Sequence, residues 1–437
     1  EVAVPYAKRR YTTRNGFAHV LGFLAYPQRD AKGNWWRPEY LGKAGVELSF
    51  DERIAGKNGV RIVEVDALGN IQSQNTIAEP LDGESITLSI DAKLQEKLAE
   101  TIQSGARRSG FVGGAGIIMD VTTGEIISLV SVPEFDSGIL TEGVDEDAIA
   151  EFASDSRDPY LNRAISGEYT PGSIVKPYIA AAALTEGIIS PAKQLLSTGA
   201  LRIPNPYFPG RYSIFRDWKA HGWVNMREAI AASSNVYFYI VGGGFADQPG
   251  LGIERLAKYA DAFGFGRESG IQLGIEGLGT VPTPKWKEQV FGDDNPWRIG
   301  NTYHTSIGQF GFLITPIQAV RYAASLANGG NLMEPSLLKG KEPNAQSVGV
   351  LEEDLRIIQE GMQRGVLGGT AASLNVSGVH IAAKTGTAQI GRNNEYMNSW
   401  VIGFWPVENP RFAFATILER APAGTLVGAA PAMRGFF

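Results

Sequence analysis

Glu168-Tyr169-Thr170-Pro171-Gly172-Ser173-Ile174-Val175-Lys176-Pro177, running on into the small apolar residues 178–184, is the stretch on which the reading of this 437-residue chain turns. Pro-Gly punctuation followed by serine and an alanine-rich run predicts a turn that delivers the chain into a buried helix, with Ser173 in its first turn. Ser173 and Lys176 are three apart, which puts a hydroxyl and an amine on one helix face within mutual reach. Serine is a weak nucleophile until a base takes its proton. A lysine in a desolvated pocket can be that base, because burial disfavours the ammonium form. Alone, Ser-x-x-Lys carries little weight, since the same residues stand at many solvated helix starts.

Two later stretches change that weight. Ser233-Ser234-Asn235 follows a helical pattern and precedes Val236-Tyr237-Phe238-Tyr239, and Lys384-Thr385-Gly386-Thr387 lies between Ile381-Ala382-Ala383 and Ala388-Gln389-Ile390. Ser-x-x-Lys, Ser-x-Asn and Lys-Thr-Gly in that order form the signature of penicillin-binding proteins and serine β-lactamases. Nearly end to end, the chain resembles the class B penicillin-binding proteins, which are monofunctional peptidoglycan transpeptidases. The likeness also covers Leu161-Asn162-Arg163-Ala164, Gly264-Phe265-Gly266 with Ser269-Gly270-Ile271, and Ser306-Ile307-Gly308-Gln309 with Thr315-Pro316. It departs at Phe310, where the family usually has the second glycine of Gly-Gln-Gly. A phenylalanine there either fills space on a helix-entry loop or shifts that loop.

Composition narrows the alternatives. A net charge of -6 gives no basic footprint, so nucleic acid is set aside as a partner. Cysteine is absent, which excludes a disulfide framework, a zinc-thiolate site and a cysteine nucleophile. His19, His221, His304 and His380 show no metal-ligand spacing, so neither a metal nor another cofactor is expected. No run approaches the ~20 apolar residues of a membrane helix, and Glu1-Val2-Ala3-Val4-Pro5 does not read as a signal peptide. The resemblance implies an inner-membrane anchor and a periplasmic catalytic domain. The expectation is that the anchor and some following sequence precede residue 1; a naturally soluble enzyme is the alternative.

Residues 1–85, rich in Gly, Pro, Arg and aromatic residues, read as an extended N-terminal module of the pedestal or dimerisation kind. Leu41-Gly42-Lys43-Ala44-Gly45-Val46-Glu47 looks like the family's joining segment, or on physical grounds alone a plain turn and strand. Residues 58–71 and 84–90 alternate as strands do. From Asp91, a reasonable N-cap, Leu94, Leu98 and Ile102 recur at helical spacing. The runs 115–121 and 125–130 then predict a hairpin, 136–157 an acidic surface excursion, and 195–223 a loop rich in proline and aromatic residues. Helices are expected at 226–232, 253–263, after Thr315-Pro316 and at 352–365. Strands return at 400–405 and 411–418, before a short helix at 429–437. Strands first, helices in the middle and strands again predict an α+β fold: an antiparallel sheet assembled from both ends of residues 86–437, with helices on both sides and an inserted helical region. The resemblance implies the penicillin-binding/serine β-lactamase-like transpeptidase fold.

Acyl transfer needs a nucleophile, a base, donors for the oxyanion and a grip on the substrate. The resemblance assigns Ser173 as nucleophile and Lys176 as its leading base. Ser233 relays a proton to departing D-alanine, and Asn235 orients Lys176 and the substrate amide. Lys384 supplies positive potential, and Thr385 and Thr387 hold the donor's terminal carboxylate. Gly386 admits close backbone approach, and the N–H groups of Thr387 and Ser173 form the oxyanion hole. Ser234 stands with the substrate-binding residues but has no role of its own. Trp218, Trp297, Tyr303 and Tyr207 either wall the cleft or simply pack. The expected function is a D,D-transpeptidase that joins a D-Ala-D-Ala donor stem to an acceptor amine and is acylated by β-lactams, partnered by a membrane glycan polymerase. His221-Gly222-Trp223-Val224-Asn225 and Pro284-Lys285-Trp286-Lys287 look more like the elongation type than the septal type. A serine β-lactamase and a non-catalytic β-lactam sensor are the alternatives.

Overall fold

Asp91 caps α1 (Ala92–Ser109) by accepting from the N–H groups of Lys93 and Leu94 at 2.9 and 3.0 Å. A helix start leaves these donors without intrahelical partners. Leu98 and Ile102, both fully buried, settle on β1 (Gly113–Asp120). Gly116 makes the room, since a Cβ there would lie 2.5 Å from Ile102 Cδ1. Each such side chain contributes about 1.5–3 kcal/mol on burial, enough to fix helix to sheet.

The computed structural model describes residues 8–26, 28–29, 35–37, 39–205 and 208–437. β1 pairs with β2 (Ile126–Val132) as the predicted hairpin. The late strands are β3 (Ala382–Ile390), β4 (Tyr396–Trp405) and β5 (Phe412–Pro422), and the antiparallel sheet runs β3-β4-β5-β1-β2. The early and late strands of residues 86–437 therefore meet at the β5–β1 pair. β1 is buried along its whole length and β4 along nearly all of it, so both sheet faces are covered.

Between the sheet's halves run α2 (Lys176–Thr185), α3 (Met226–Ala232), α4 (Asn235–Gly243), α5 (Pro316–Ala327) and α6 (Glu352–Gly368). α5 starts where Thr315-Pro316 predicts. Thr315 and Gln318 cap each other's backbone N–H at 3.3 and 3.1 Å, and all twelve residues of the helix are buried.

The chain groups into two compact units, residues 1–88 with 134–160 and 272–274, and residues 89–133 with 161–271 and 275–437. In the first, Leu24–Ala25 pairs with Leu41–Gly42, and Val60–Val65 with Ile71–Ala78. Arg9 and Tyr11 converge on the buried carboxylate of Glu47, and Glu134 accepts from the N–H groups of Gly16 and Ala18 at 2.7 and 3.1 Å.

Four expectations change. Segment 41–47 lies inside the first unit as a strand and a helix start. Residues 136–157 fold as helices Ser137–Glu142 and Glu146–Ser154 and group with the N-terminal residues. Residues 84–90 form no strand. Ser89 instead hydrogen-bonds to Ile126, Ser336 and Leu337, irregular contacts that make no ladder. The 195–223 loop is two ribbons, Ala200–Pro204 with Tyr212–Arg216 and Leu195–Ser197 with Gly222–Val224. Of the aromatic residues expected there, Tyr207 lies outside the described residues.

Candidate active site

Residues Gly172–Val175 make one turn of 3-10 helix that leads straight into α2. The turn is held from several sides. Trp400 Nε1 donates to Thr170 O at 3.1 Å, Gly172 N–H donates to Gly308 O at 3.0 Å, and the Tyr322 hydroxyl donates to Ile174 O at 3.2 Å. Gly172 has φ +56, and a Cβ on it would stand 2.6 Å from Thr387 O. From the facing strand, a Cβ on Gly386 would stand 2.6 Å from Pro171 O. The two glycines interlock, which lets the serine turn lie directly against β3. Ser173 is half-buried, and its hydroxyl has no hydrogen-bond partner among the described residues.

Lys176 is fully buried at the first position of α2. Its Nζ donates to Ser233 O at 2.7 Å, to Asn235 Oδ1 at 2.7 Å and to Ser233 Oγ at 3.3 Å. No hydrogen bond joins it to Ser173, although the spacing puts both on one face. Burial pulls the amine down to about 7, against the field of Asp217, which favours the ammonium. Lys384, in β3, is 1 % exposed and donates to Ser233 Oγ and to Thr385 O, both at 2.8 Å. Burial, and then the neighbouring Lys176, hold it well below the ordinary lysine value. Ser233 Oγ thus stands between two buried amines.

Ser233 can do this because it ends α3 in the left-handed conformation, φ 57 and ψ 39. A non-glycine residue pays roughly 1–2 kcal/mol for that region, and such residues cluster at working sites. Ser234 needs correcting as a substrate contact. It is fully buried, and its hydroxyl donates to Asp217 Oδ2 at 2.8 Å and caps α4 at Tyr237 N. Its side chain is spent on the helix start and does not reach the cleft. Asp217, which no motif flagged, takes that bond.

On β3 the alternation puts Thr385 and Thr387 on one face. Thr387 is exposed, and the Thr385 hydroxyl donates to that of Thr370 at 2.8 Å. Lys384 and Gly386 take the other, buried face. Phe310 keeps the backbone a glycine would have, φ +62, and fills space with its ring, edge-on to Trp286 and Trp297 and stacked on Phe291. Of the aromatic residues read either as cleft wall or as packing, Tyr303 is buried, with its hydroxyl donating to Gly244 O at 2.7 Å, and Trp218 is exposed. No group of metal-ligating side chains occurs among the described residues.

Residues 114–435 match the penicillin binding protein transpeptidase domain and residues 3–88 the penicillin-binding protein dimerisation domain. The peptidoglycan D,D-transpeptidase MrdA of Escherichia coli is 32% identical over 462 residues, covering 97% of this chain and 70% of that protein. Penicillin-binding protein PBP2 of Helicobacter pylori, solved in complex with MreC, superposes with a TM-score of 0.81 at 28% identity, covering 99% of this chain and 78% of that one. A chain of a solved peptidoglycan synthase complex that coordinates polymerization and crosslinking gives 0.79 at 30% identity, covering 96% and 74%.

Proposed function

The chain belongs to the class B penicillin-binding proteins, and from that premise we propose that Ser173, Lys176, Ser233, Asn235 and Lys384 carry out its acyl transfer. It is an elongation-type, serine-dependent peptidoglycan D,D-transpeptidase. Ser173 Oγ attacks the carbonyl carbon of the donor's penultimate D-alanine, and its proton passes to Lys176. A neutral Lys176 suits this step. As a neutral amine it keeps two N–H bonds, to Ser233 O and Asn235 Oδ1 at 2.7 Å, and its lone pair takes the serine proton once it gives up the longer, 3.3 Å contact with Ser233 Oγ. The backbone N–H groups of Ser173 and Thr387 receive the oxyanion. The C–N bond then breaks, and D-alanine leaves with a proton relayed through Ser233 Oγ. The acceptor amine attacks the resulting ester, and Ser173 recovers its proton. Thr385 and Thr387 hold the donor's terminal carboxylate, whose charge favours the ammonium form of Lys384.

The observation that carries this reading is the network itself, two buried amines on one serine hydroxyl beside a turn interlocked with β3. A lactamase needs in addition a base that holds water against the ester, which in class A enzymes is a glutamate. Glu168 is exposed and accepts from Gly279 N–H at 2.9 Å, and among the described residues no carboxylate bonds to Ser173, Lys176, Ser233 or Lys384. Intact-mass analysis after β-lactam exposure tests the assignment: a single adduct on the parent and none on Ser173→Ala. Adducts on the variant would refute it.

The N-terminal residues serve, in the same proposal, as a docking module for proteins of the elongation machinery, a membrane glycan polymerase among them, on the periplasmic face of the inner membrane. The dimerisation-domain match and the assemblies in which the related chains were solved support it.

A further inference from the structure

Asp217 directly follows the strand Tyr212–Arg216, and its side chain is fully buried with no lysine or arginine bound to it among the described residues. A buried carboxylate is costly unless donors surround it. Here they do. Ser197 Oγ, Ser234 Oγ and Val236 N–H donate to Oδ2 at 3.1, 2.8 and 3.0 Å, Trp218 N–H donates to Oδ1 at 2.9 Å, and His221 Nε2 lies 3.5 Å from Oδ1. Burial alone would raise its pKa. The N–H groups of Asn235 and Val236, then the Ser234 hydroxyl and the field of Lys176, outweigh burial and keep it below the ordinary carboxylate value.

These donors belong to one place. Ser234 and Val236 flank Asn235, and together with Ser233 they make the C-cap of α3 and the N-cap and first turn of α4. An anion at a helix N-terminus is stabilised by the unpaired N–H groups there. Asn235 is tied to the same strand end, its Nδ2 donating to Arg216 O at 3.4 Å. Building on the acyl-transfer reading above, we propose that Asp217 is the positioning residue of the site, anchoring Ser233-Ser234-Asn235 from behind and so holding both partners of Lys176 in place.

Its charge has a second consequence. Among the described residues, the charged groups facing Lys176 are Lys384 from β3 and Asp217 from the ribbon, with His221 behind Asp217. His221 is kept toward its neutral form chiefly by burial, against the pull of Asp217. A negative field that favours the Lys176 ammonium also favours the state reached once Ser173 has lost its proton.

The test is the second-order acylation rate with a chromogenic cephalosporin from pH 5 to 9, for the parent, Asp217→Asn and Ser234→Ala, with intact mass and thermal melting on each. An amide cannot accept all these donors, so Asp217→Asn should acylate about 10- to 100-fold more slowly, the worth of a charged hydrogen bond. The acid limb of its pH profile should also move to lower pH, because the charge favouring the ammonium is gone. Ser234→Ala should slow acylation less and leave the limb in place. A purely structural role for Asp217 would lower melting without moving the limb. Asp217→Asn with the parent rate and limb overturns the inference. If that variant fails to fold, Ser234→Ala acylating at the parent rate overturns it. A parent that is not labelled on Ser173 would instead contradict the acyl-transfer reading on which this rests.

Discussion

Acylation of Ser173 should climb with pH and level off just above neutrality. The perturbation is protonation of Lys176, and the structure sets its midpoint: complete burial lowers the amine from 10.5 to about 7. That drop corresponds to about 5 kcal/mol against the buried ammonium. An ordinary lysine at pH 7 is neutral in about one molecule in 3,000, whereas here about half are neutral. Below the midpoint the rate should fall about tenfold per pH unit, to about 100-fold under the plateau at pH 5. Lys384, bonded to the same Ser233 hydroxyl, titrates as part of the same network, so the limb belongs to the pair and not to one amine. Stopped-flow acylation by a chromogenic β-lactam whose carboxylate stays ionised over this range measures it, with intact mass to confirm a single adduct. A rate flat from pH 5.5 to 8.5, or a midpoint at 9 or above, would refute Lys176 as the base.

Three further outcomes are expected. Gly386→Ala drives a Cβ to 2.6 Å from Pro171 O and 2.9 Å from Ile174 Cγ2, so the serine turn must retreat. The variant should lose about 1–3 kcal/mol in denaturant unfolding and about 100-fold in acylation rate, and unchanged kinetics would contradict the interlock. Phe310→Gly relieves left-handed strain of about 1–2 kcal/mol but gives up three aromatic neighbours at about 0.5–1.5 kcal/mol each as well as the ring's burial. It should therefore melt at a lower temperature, and a higher one would show that strain dominates. The β-lactam acyl-enzyme should persist for hours by mass spectrometry, and turnover faster than about one per second would make this a lactamase.

The fold was legible where one local signal was enough. Asp91 and Thr315-Pro316 mark helix starts because a cap is a property of a few adjacent residues, and both caps form. The ribbons of 195–223 were not legible. Their strands are short and none has more than one buried residue, so neither periodicity nor a continuous apolar run marks them. Residues 84–90 failed the opposite way: alternation was present, but alternation supplies no partner strand. The grouping of 134–160 with the N-terminal residues depends on contacts as remote as Glu134 with Gly16, 118 positions apart, which no local pattern encodes.

At the site, spacing named residues that the structure brings together, and mispaired two of them. Ser173 and Lys176 share a face, yet the amine's bonds run to Ser233 and Asn235, because their acceptors meet it inside the core whereas Ser173 lies half-open to the cleft. Ser234 sits between two site residues, but a helix cap turns its side chain away from its neighbours' direction. Asp217 left no trace at all. It is one acidic residue among many, 17 positions before Ser234, and what singles it out is that the ribbon folds back to lay it on the first turn of α4. The two failures have one cause. A motif records which residues meet the substrate, while the groups that hold those residues in place are fixed by chain paths that carry only the local signals of a loop. The residues least visible in a sequence are therefore the supports of the visible ones, and they are found by asking where each buried motif side chain sends its hydrogen bonds.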